Sequence, residues 1–334
     1  MEHGMTATSD RRSKAPRGHD TPGAGETVPR APITDPDVTL RPTDETSDRP
    51  LRFAILSDTH LSPPGTADGL WNNITKRSAS ASLLEAAVAQ IVAAGHDRVL
   101  VLGDVSEFGA TDMIAAALGT ISDAGLRSWV VPGNHDVALS TNALSTAAET
   151  LTSSVALDTE HPQRCDGITV CGHGLRSRDG GQTCQATNLP DPAPFHSRLL
   201  LWATHYPLLS QHARLRVAGL RYPGDLLNLD EARAAAERFP GPILVLHGHL
   251  HTTAIRHVGR ILQIGSPAVV EWPHAWTDAS IEATSDTVRI RTALTPIPGQ
   301  WSTGDLNTVV AEHEQNWAFT TGRWRRAGSA HSDG

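Results

Sequence analysis

Between Leu51 and Pro132 the chain alternates three short apolar runs with two amphipathic segments, and no other feature limits its fold as strongly. Leu51-Arg52-Phe53-Ala54-Ile55-Leu56 reads as a buried strand, cut off by Ser57-Asp58. Ser82 and Glu85 form a capping box ahead of an apolar face of Leu84, Ala87, Val88 and Ile91, and this helix is expected to stop near Gly95. Arg98 to Leu102 is the next strand, ended by Gly103-Asp104. Thr111 caps a second expected helix, with Ile114, Leu118 and Ile121 on one side and an end near Gly125. Ser128 to Val131 is the third strand, ended by Pro132-Gly133. Strand–helix–strand–helix–strand is the pattern of a parallel sheet with right-handed crossovers.

The rest of the chain is read around that block. Residues 1 to about 50 contain no Phe, Trp or Tyr and bury too little apolar surface to offset their ordering entropy, so they are expected to form a disordered N-terminal arm. Arg11-Arg12 is followed by no apolar stretch, which makes the pair solvated charge rather than an export signal and implies a cytoplasmic chain. Residues 51–295 form the expected domain and 296–334 a C-terminal extension. The stretch from Ala138 to His196 is read as loops and insertions. Strands resume at Leu199–Thr204, Ile243–Leu246 and Ile261–Ile264, with a helix over Asp230–Phe239 and a hairpin over 279–294. The tail, with Trp317, Trp324 and the cluster Arg323, Arg325 and Arg326, is read as a partly packed extension with a solvated charged face.

Three cysteines between Cys165 and Cys184 are too few for a disulfide framework and leave either one bridge or free thiols. The longest apolar run, Met113 to Leu118, is far below the roughly 18 residues of a membrane-spanning helix. A formal net charge of −8 argues against a mainly electrostatic nucleic-acid binder.

Five short segments carry the chemistry: Asp58-Thr59-His60, Gly103-Asp104, Gly133-Asn134-His135-Asp136, Thr204-His205 and Gly248-His249-Leu250-His251. Nearly every one directly follows an expected strand. In an open α/β sheet the carboxyl ends of the strands share one edge, so loops far apart in sequence converge there. Carboxylate oxygens, imidazole nitrogens and one amide oxygen suit Zn²⁺, Fe and Mn²⁺, and thiolates are absent from the set. Asp58 and His60, like His249 and His251, are two residues apart, a spacing that aims two side chains at one metal pair. Gly103, Gly133 and Gly248 each precede a candidate ligand, where glycine permits positive φ or close backbone approach.

The order Asp-x-His, Gly-Asp, Gly-Asn-His-Asp, a lone His and Gly-His-x-His resembles the calcineurin-like metallophosphoesterases, over about 200 residues from Asp58 to His251 and, with the hairpin, to about 295. The resemblance implies a four-layer αββα sandwich with two divalent or trivalent ions (Mn, Fe or Zn). It implies that Asp58, His60 and His251 hold the first ion, that Asn134, His205 and His249 hold the second, and that Asp104 bridges both. By the same resemblance His135 lies beside the scissile phosphate, and Asp136 either orients His135 or caps a turn. Glu107, three residues after Asp104, either joins the site or faces solvent.

The implied activity is hydrolysis of a phosphate ester by a metal-bridged hydroxide, without a phosphoenzyme. The short Leu-Ser-Asp-Thr-His opening is closest in style to the bacterial cyclic-nucleotide phosphodiesterase branch, which points to a small diester such as a cyclic nucleotide or glycerophosphodiester. A phosphomonoesterase acting on a metabolite or biosynthetic intermediate is the alternative. A non-catalytic scaffold is disfavoured by the complete candidate ligand set, and a nuclease by the acidic balance. Trp71, Asn72 and Asn73, and also Gly265-Ser266-Pro267 and Trp272-Pro273-His274, are candidates for the pocket lining. His247 is read as structural first, with a role as a further ring at the site as the alternative.

Overall fold

A computed structural model describes residues 50–157, 162–299 and 314–327. The expected arm, apart from Pro50, lies outside the described residues. In chain order the strands are β1 (Leu51–Leu56), β2 (Gly69–Leu70), β3 (Ile74–Thr75), β4 (Arg98–Val101), β5 (Arg127–Val130), β6 (Ser154–Ala156), β7 (Gln163–Cys165), β8 (Ile168–Cys171), β9 (Gly174–Ser177), β10 (Cys184–Thr187), β11 (Leu199–Thr204), β12 (Ile243–His247), β13 (Ile255–Val258), β14 (Ile261–Gly265), β15 (Ala275–Ala283), β16 (Val288–Pro296), β17 (Glu314–Thr320) and β18 (Arg323–Arg326). The helices are α1 (Ser80–Ala93), α2 (Thr111–Asp123), α3 (Ala143–Glu149), α4 (His212–Val217) and α5 (Leu229–Glu237).

Two sheets stack face to face. One runs β18-β17-β16-β15-β1-β4-β5-β6 and the other β13-β14-β12-β11-β8-β7. Alternation along the strands builds three apolar layers from them. Phe53, Ile55, Leu100, Leu102, Trp129 and Val131 face Val170, Leu199, Leu201, Leu244, Leu246 and Leu262 across the centre of the sandwich. Ala54, Leu56, Val99, Val101 and Val130 point the other way, onto α1, α2 and α3. Leu200, Trp202, Ile243 and Val245 pack outward against α5 and the β9–β10 hairpin. The result is the four-layer αββα arrangement. Strands β1, β4, β5 and β6 pair in parallel, as do β8, β11, β12 and β14, so in each sheet their carboxyl ends share an edge.

Several local expectations need correction. Helix α1 starts at Ser80, behind a 3₁₀ turn over Arg77–Ala79, so Ser82 lies inside the helix and makes no cap. Ser80 marks the start instead, because its hydroxyl donates to the Arg77 carbonyl and accepts the Ser62 N–H. In α2 the extended residue Ala110 is the cap and Thr111 is already helical. The stretch expected to be loops, Ala138 to His196, holds α3 and β6 to β10, strands of three or four residues that are too short for periodicity to reveal. All three cysteines are free thiols, one of the two alternatives the sequence left open. The expected hairpin over 279–294 is the longer β15–β16 pair. The tail continues that sheet as β17 and β18, with Trp317 and Trp324 buried in the central layer and Arg323 and Arg325 exposed. No helix among the described residues is long and apolar enough to cross a membrane.

Candidate functional site

The five segments meet at the shared strand edge, because each leaves a parallel strand on the same side. The loops after β1 and β4 are laced by backbone bonds: Asp58 N–H to Gly103 O (3.1 Å), His60 N–H to Asp104 O (2.9 Å) and Leu61 N–H to Val105 O (2.9 Å). Five of the candidate ligands are non-glycine residues in the left-handed region, Asp58 (φ 52°), His60 (41°), Asp104 (49°), His249 (66°) and His251 (54°). Such conformations cost on the order of 1–3 kcal/mol each and persist only where the surroundings over-determine them. Here they turn pairs of side chains two residues apart toward one point. Gly133 and Gly248 serve by close approach: a Cβ on Gly133 would stand 2.1 Å from Asp104 Oδ1, and one on Gly248 2.1 Å from Ser57 Oγ.

All seven candidate ligands lie in one cluster, each less than a tenth exposed. Asp58, His60 and His251 offer donor atoms within 4.8 Å of one another, and so do Asp58, Asp104 and His205. His251 Nε2 is 3.3 Å from Asp58 Oδ1, and His60 Nε2 is 3.6 Å from Asp104 Oδ2. His205 Nε2 is 3.1 Å from Asn134 Oδ1, 3.3 Å from Asp104 Oδ2 and 3.2 Å from His249 Nδ1.

The other nitrogen of three rings is already committed. His205 Nδ1 is 2.8 Å from the Leu102 carbonyl, His60 Nδ1 is 2.7 Å from Glu107 Oε2, and His251 Nδ1 bonds the Glu271 carboxylate. A ring that donates its Nδ1–H outward turns the Nε2 lone pair inward, the arrangement in which imidazoles bind metals. His205 Nε2 therefore faces an amide oxygen, a carboxylate oxygen and another ring nitrogen. Acceptors crowded around an acceptor repel unless a cation or a proton stands among them. The donor set fits a pair of metal ions on this ground.

The electrostatics agree. Burial alone would raise the pKa of Asp58, but His251 and His205 hold it down at about 2. Asp104 is likewise fully buried, yet His205, His135 and His60 keep it well below the usual carboxylate range. Burial opposes charge on His205, but Asp104 lifts its pKa to about 9. His249 is driven well down by burial and by the neighbouring His205, which keeps it a neutral donor.

His135 sits at the mouth, its ring 4.7 Å from that of His60. Its Nδ1 is 2.7 Å from the Glu107 carbonyl, which leaves Nε2 free. Of the two expectations for Asp136, orienting His135 or capping a turn, its hydrogen bonds match the cap. Its oxygens accept the N–H groups of Gly133 (2.9 Å), Ser106 (3.0 Å) and Val105 (3.2 Å), and no contact to the His135 ring forms. Three backbone donors in a dry loop leave that carboxylate no reach toward the ring, and the Glu107 carbonyl orients His135 instead. Glu107 is buried, and it binds both His60 and Arg77.

A cleft of about 580 Å³ opens in front of the cluster, lined by His60, Asp104, Asn134, His135, His249 and His251 and by an outer wall that includes Leu70 and Trp71. Asn72, Asn73, Gly265-Ser266-Pro267 and Trp272-Pro273-His274 do not line it. His247 is fully buried behind it, with Nδ1 on the Gly248 carbonyl. Two residues escaped the sequence reading. Glu271 is a lone carboxylate between Val270 and Trp272, and that apolar setting was the available signal. Tyr206 packs its ring 4.0 Å from that of His249, and nothing in its local sequence marks it.

The chain belongs to the calcineurin-like phosphoesterase family, whose model matches residues 51–253. It is accordingly a metal-dependent phosphoric ester hydrolase. None of the curated protein sequences matches it. Among solved structures it is similar to a dimetal phosphatase from Danio rerio at 14% identity, covering 75% of this chain and 100% of that one with a TM-score of 0.52. It is also similar to a putative 5'-nucleotidase from Staphylococcus aureus (12% identity, 77% of this chain and 56% of that one, TM-score 0.43). A phosphopantetheinyl hydrolase from Mycobacterium tuberculosis gives 16% identity over 68% of this chain and 93% of that one, with a TM-score of 0.41.

Proposed function

We propose that the chain hydrolyses a small phosphodiester, in the manner of a cyclic-nucleotide or glycerophosphodiester phosphodiesterase, at a dinuclear centre on the strand edge. In this reading Asp58, His60 and His251 hold one ion, Asn134, His205 and His249 hold the other, and Asp104 serves both, with Mn, Fe or Zn as the metals. Bound dications would supply Lewis acidity and hydroxide near neutral pH. Glu107 and Glu271 hold His60 and His251 with Nε2 inward. Asp136 fixes the loops that carry Asp104 and Asn134. His135 stands at the mouth of the cluster with Nδ1 on the Glu107 carbonyl and Nε2 free, placed to act on the leaving oxygen; burial opposes charge on the ring, while Asp104 and Glu107 raise its pKa.

The observation that carries the choice of a diester is the cleft in front of the donor cluster, about 580 Å³ and lined in its outer part by Leu70, Trp71, Thr75, Pro223 and the Gly180–Thr183 turn, which has room for a second ester substituent. Two dications, set against Asp58, Asp104 and one hydroxide, would leave about +1 before the Glu271 carboxylate is counted, which suits an anionic phosphate ester. Among the described residues Arg77 is the one Arg or Lys lining the cleft, and it is paired to Glu107. An anionic diester with an uncharged second substituent fits that arrangement. Turnover of bis-p-nitrophenyl phosphate, p-nitrophenyl phosphate and cyclic nucleotides with Mn²⁺, Zn²⁺ and Fe²⁺ tests this. The diesters are expected to be faster, and faster monoester turnover would move the assignment to a phosphomonoesterase. A single turnover in ¹⁸O-water is expected to place the label in the released phosphate product.

A further inference from the structure

The cleft is far larger than a phosphoryl group, so most of it faces the ester substituent. Its outer wall is formed by Leu70, Trp71, Thr75, Pro223 and the Gly180–Thr183 turn, and the one Arg or Lys beside it among the described residues, Arg77, is already paired to Glu107. With that cation engaged, the wall offers a charged head group little. It offers an indole, an aliphatic side chain and a proline ring.

Trp71 is held in place. It stands at the tip of the β2–β3 hairpin, where its backbone N–H donates to the Asn73 carbonyl (2.9 Å). Arg221, in the segment after α4, fixes that tip: its backbone N–H donates to Asn72 Oδ1 (2.9 Å), its Nη1 donates to the Leu70 carbonyl (3.1 Å), and its guanidinium carbon lies 5.7 Å from the Trp71 ring centre. Glu271 ties the hairpin to the donor cluster, because the same carboxylate accepts the Asn73 N–H and bonds His251 Nδ1. The Trp71 ring centre is thereby set 6.4 Å from the His251 imidazole.

We propose that Trp71 determines specificity by stacking on a neutral aromatic group esterified to the phosphate. This deepens the phosphoesterase reading and rests on it. An aromatic face held by backbone bonds stacks at little ordering cost, and each such contact adds affinity beyond plain burial.

Calorimetric titration of the Mn²⁺-loaded full chain with dimethylphosphinate and methylphenylphosphinate, non-hydrolysable monoanions that mimic a diester, tests the proposal in the wild type and in the Trp71→Ala and Trp71→Phe variants. The wild type is expected to prefer methylphenylphosphinate by on the order of tenfold. Trp71→Ala is expected to bring the ratio of the two affinities toward one, and Trp71→Phe to restore most of it. A wild-type ratio near one, or the same ratio in Trp71→Ala, overturns the assignment of Trp71 while leaving the phosphate site standing. Failure of the loaded protein to bind either phosphinate overturns the diester reading and this inference together.

Discussion

Glu271 shows how one side chain can set both halves of a site. Its carboxylate bonds His251 on one side and the Asn73 backbone on the other, while the side chain is 1% exposed. Outer partners of this kind fix ring orientation and ligand basicity, and losing one typically costs 10–100-fold in metal affinity. Glu271→Gln keeps the shape and removes the charge. It is expected to weaken metal binding by about tenfold or more in a chelator competition; an unchanged affinity would assign Glu271 to packing alone. The seven candidate ligands were legible in sequence because each sits in a short motif next to a strand end. Glu271 was not, since its role depends on residues 269–271 folding back beside residues 73–75, and no spacing rule connects those segments.

Strands β17 and β18 act as a seal on the sandwich. Trp317 and Trp324 enter the central apolar layer, and Trp324 Nε1 donates to the Arg260 carbonyl (2.7 Å), which joins the end of one sheet to the other. Truncating a buried Trp in such a layer costs about 3–5 kcal/mol. Trp324→Ala is accordingly expected to lower stability in urea by about 3 kcal/mol; a loss below about 1 kcal/mol would show that these strands add little to the sandwich. The sequence reading saw the two tryptophans and the arginines but not the strands, because a terminal pair that completes a sheet has its partners in the hairpin rather than nearby. The buried strand Leu51–Leu56 was readable because one apolar run carries it, but which of its side chains face which layer was not. The elements between 138 and 196 were not, because three-residue strands take their identity from neighbours.

At the scale of the molecule, the order of the sheets was the least legible property. Antiparallel β15 pairs with β1, so strands from near the two ends of the described chain lie side by side, with Leu51 opposite Ile281. Packing these layers also buries histidines that must stay neutral. His173 is 1% exposed, with Nδ1 and Nε2 each 3.0 Å from Gly174 O and Thr204 Oγ1, and burial pushes its pKa down to about 4. The unfolded chain, with a histidine pKa near 6.5, takes up a proton that the folded chain refuses as pH falls from 6.5 to 4. Stability is thus full above pH 6.5 and declines through that window, by up to about 3 kcal/mol for this residue. In chelator-treated protein, His173→Gln is expected to flatten that part of the urea-stability profile; an unchanged slope would show that His173 titrates alike in both states.

The account turns on seven side chains from five loops forming one cage for two ions. Elemental analysis of the purified, reconstituted and folded chain measures this directly. Two transition-metal ions per chain are expected, falling to one or none in Asp104→Asn together with loss of most phosphoesterase activity. A folded wild-type chain that stays metal-free, or an Asp104→Asn protein that keeps both ions and near wild-type turnover, would contradict it.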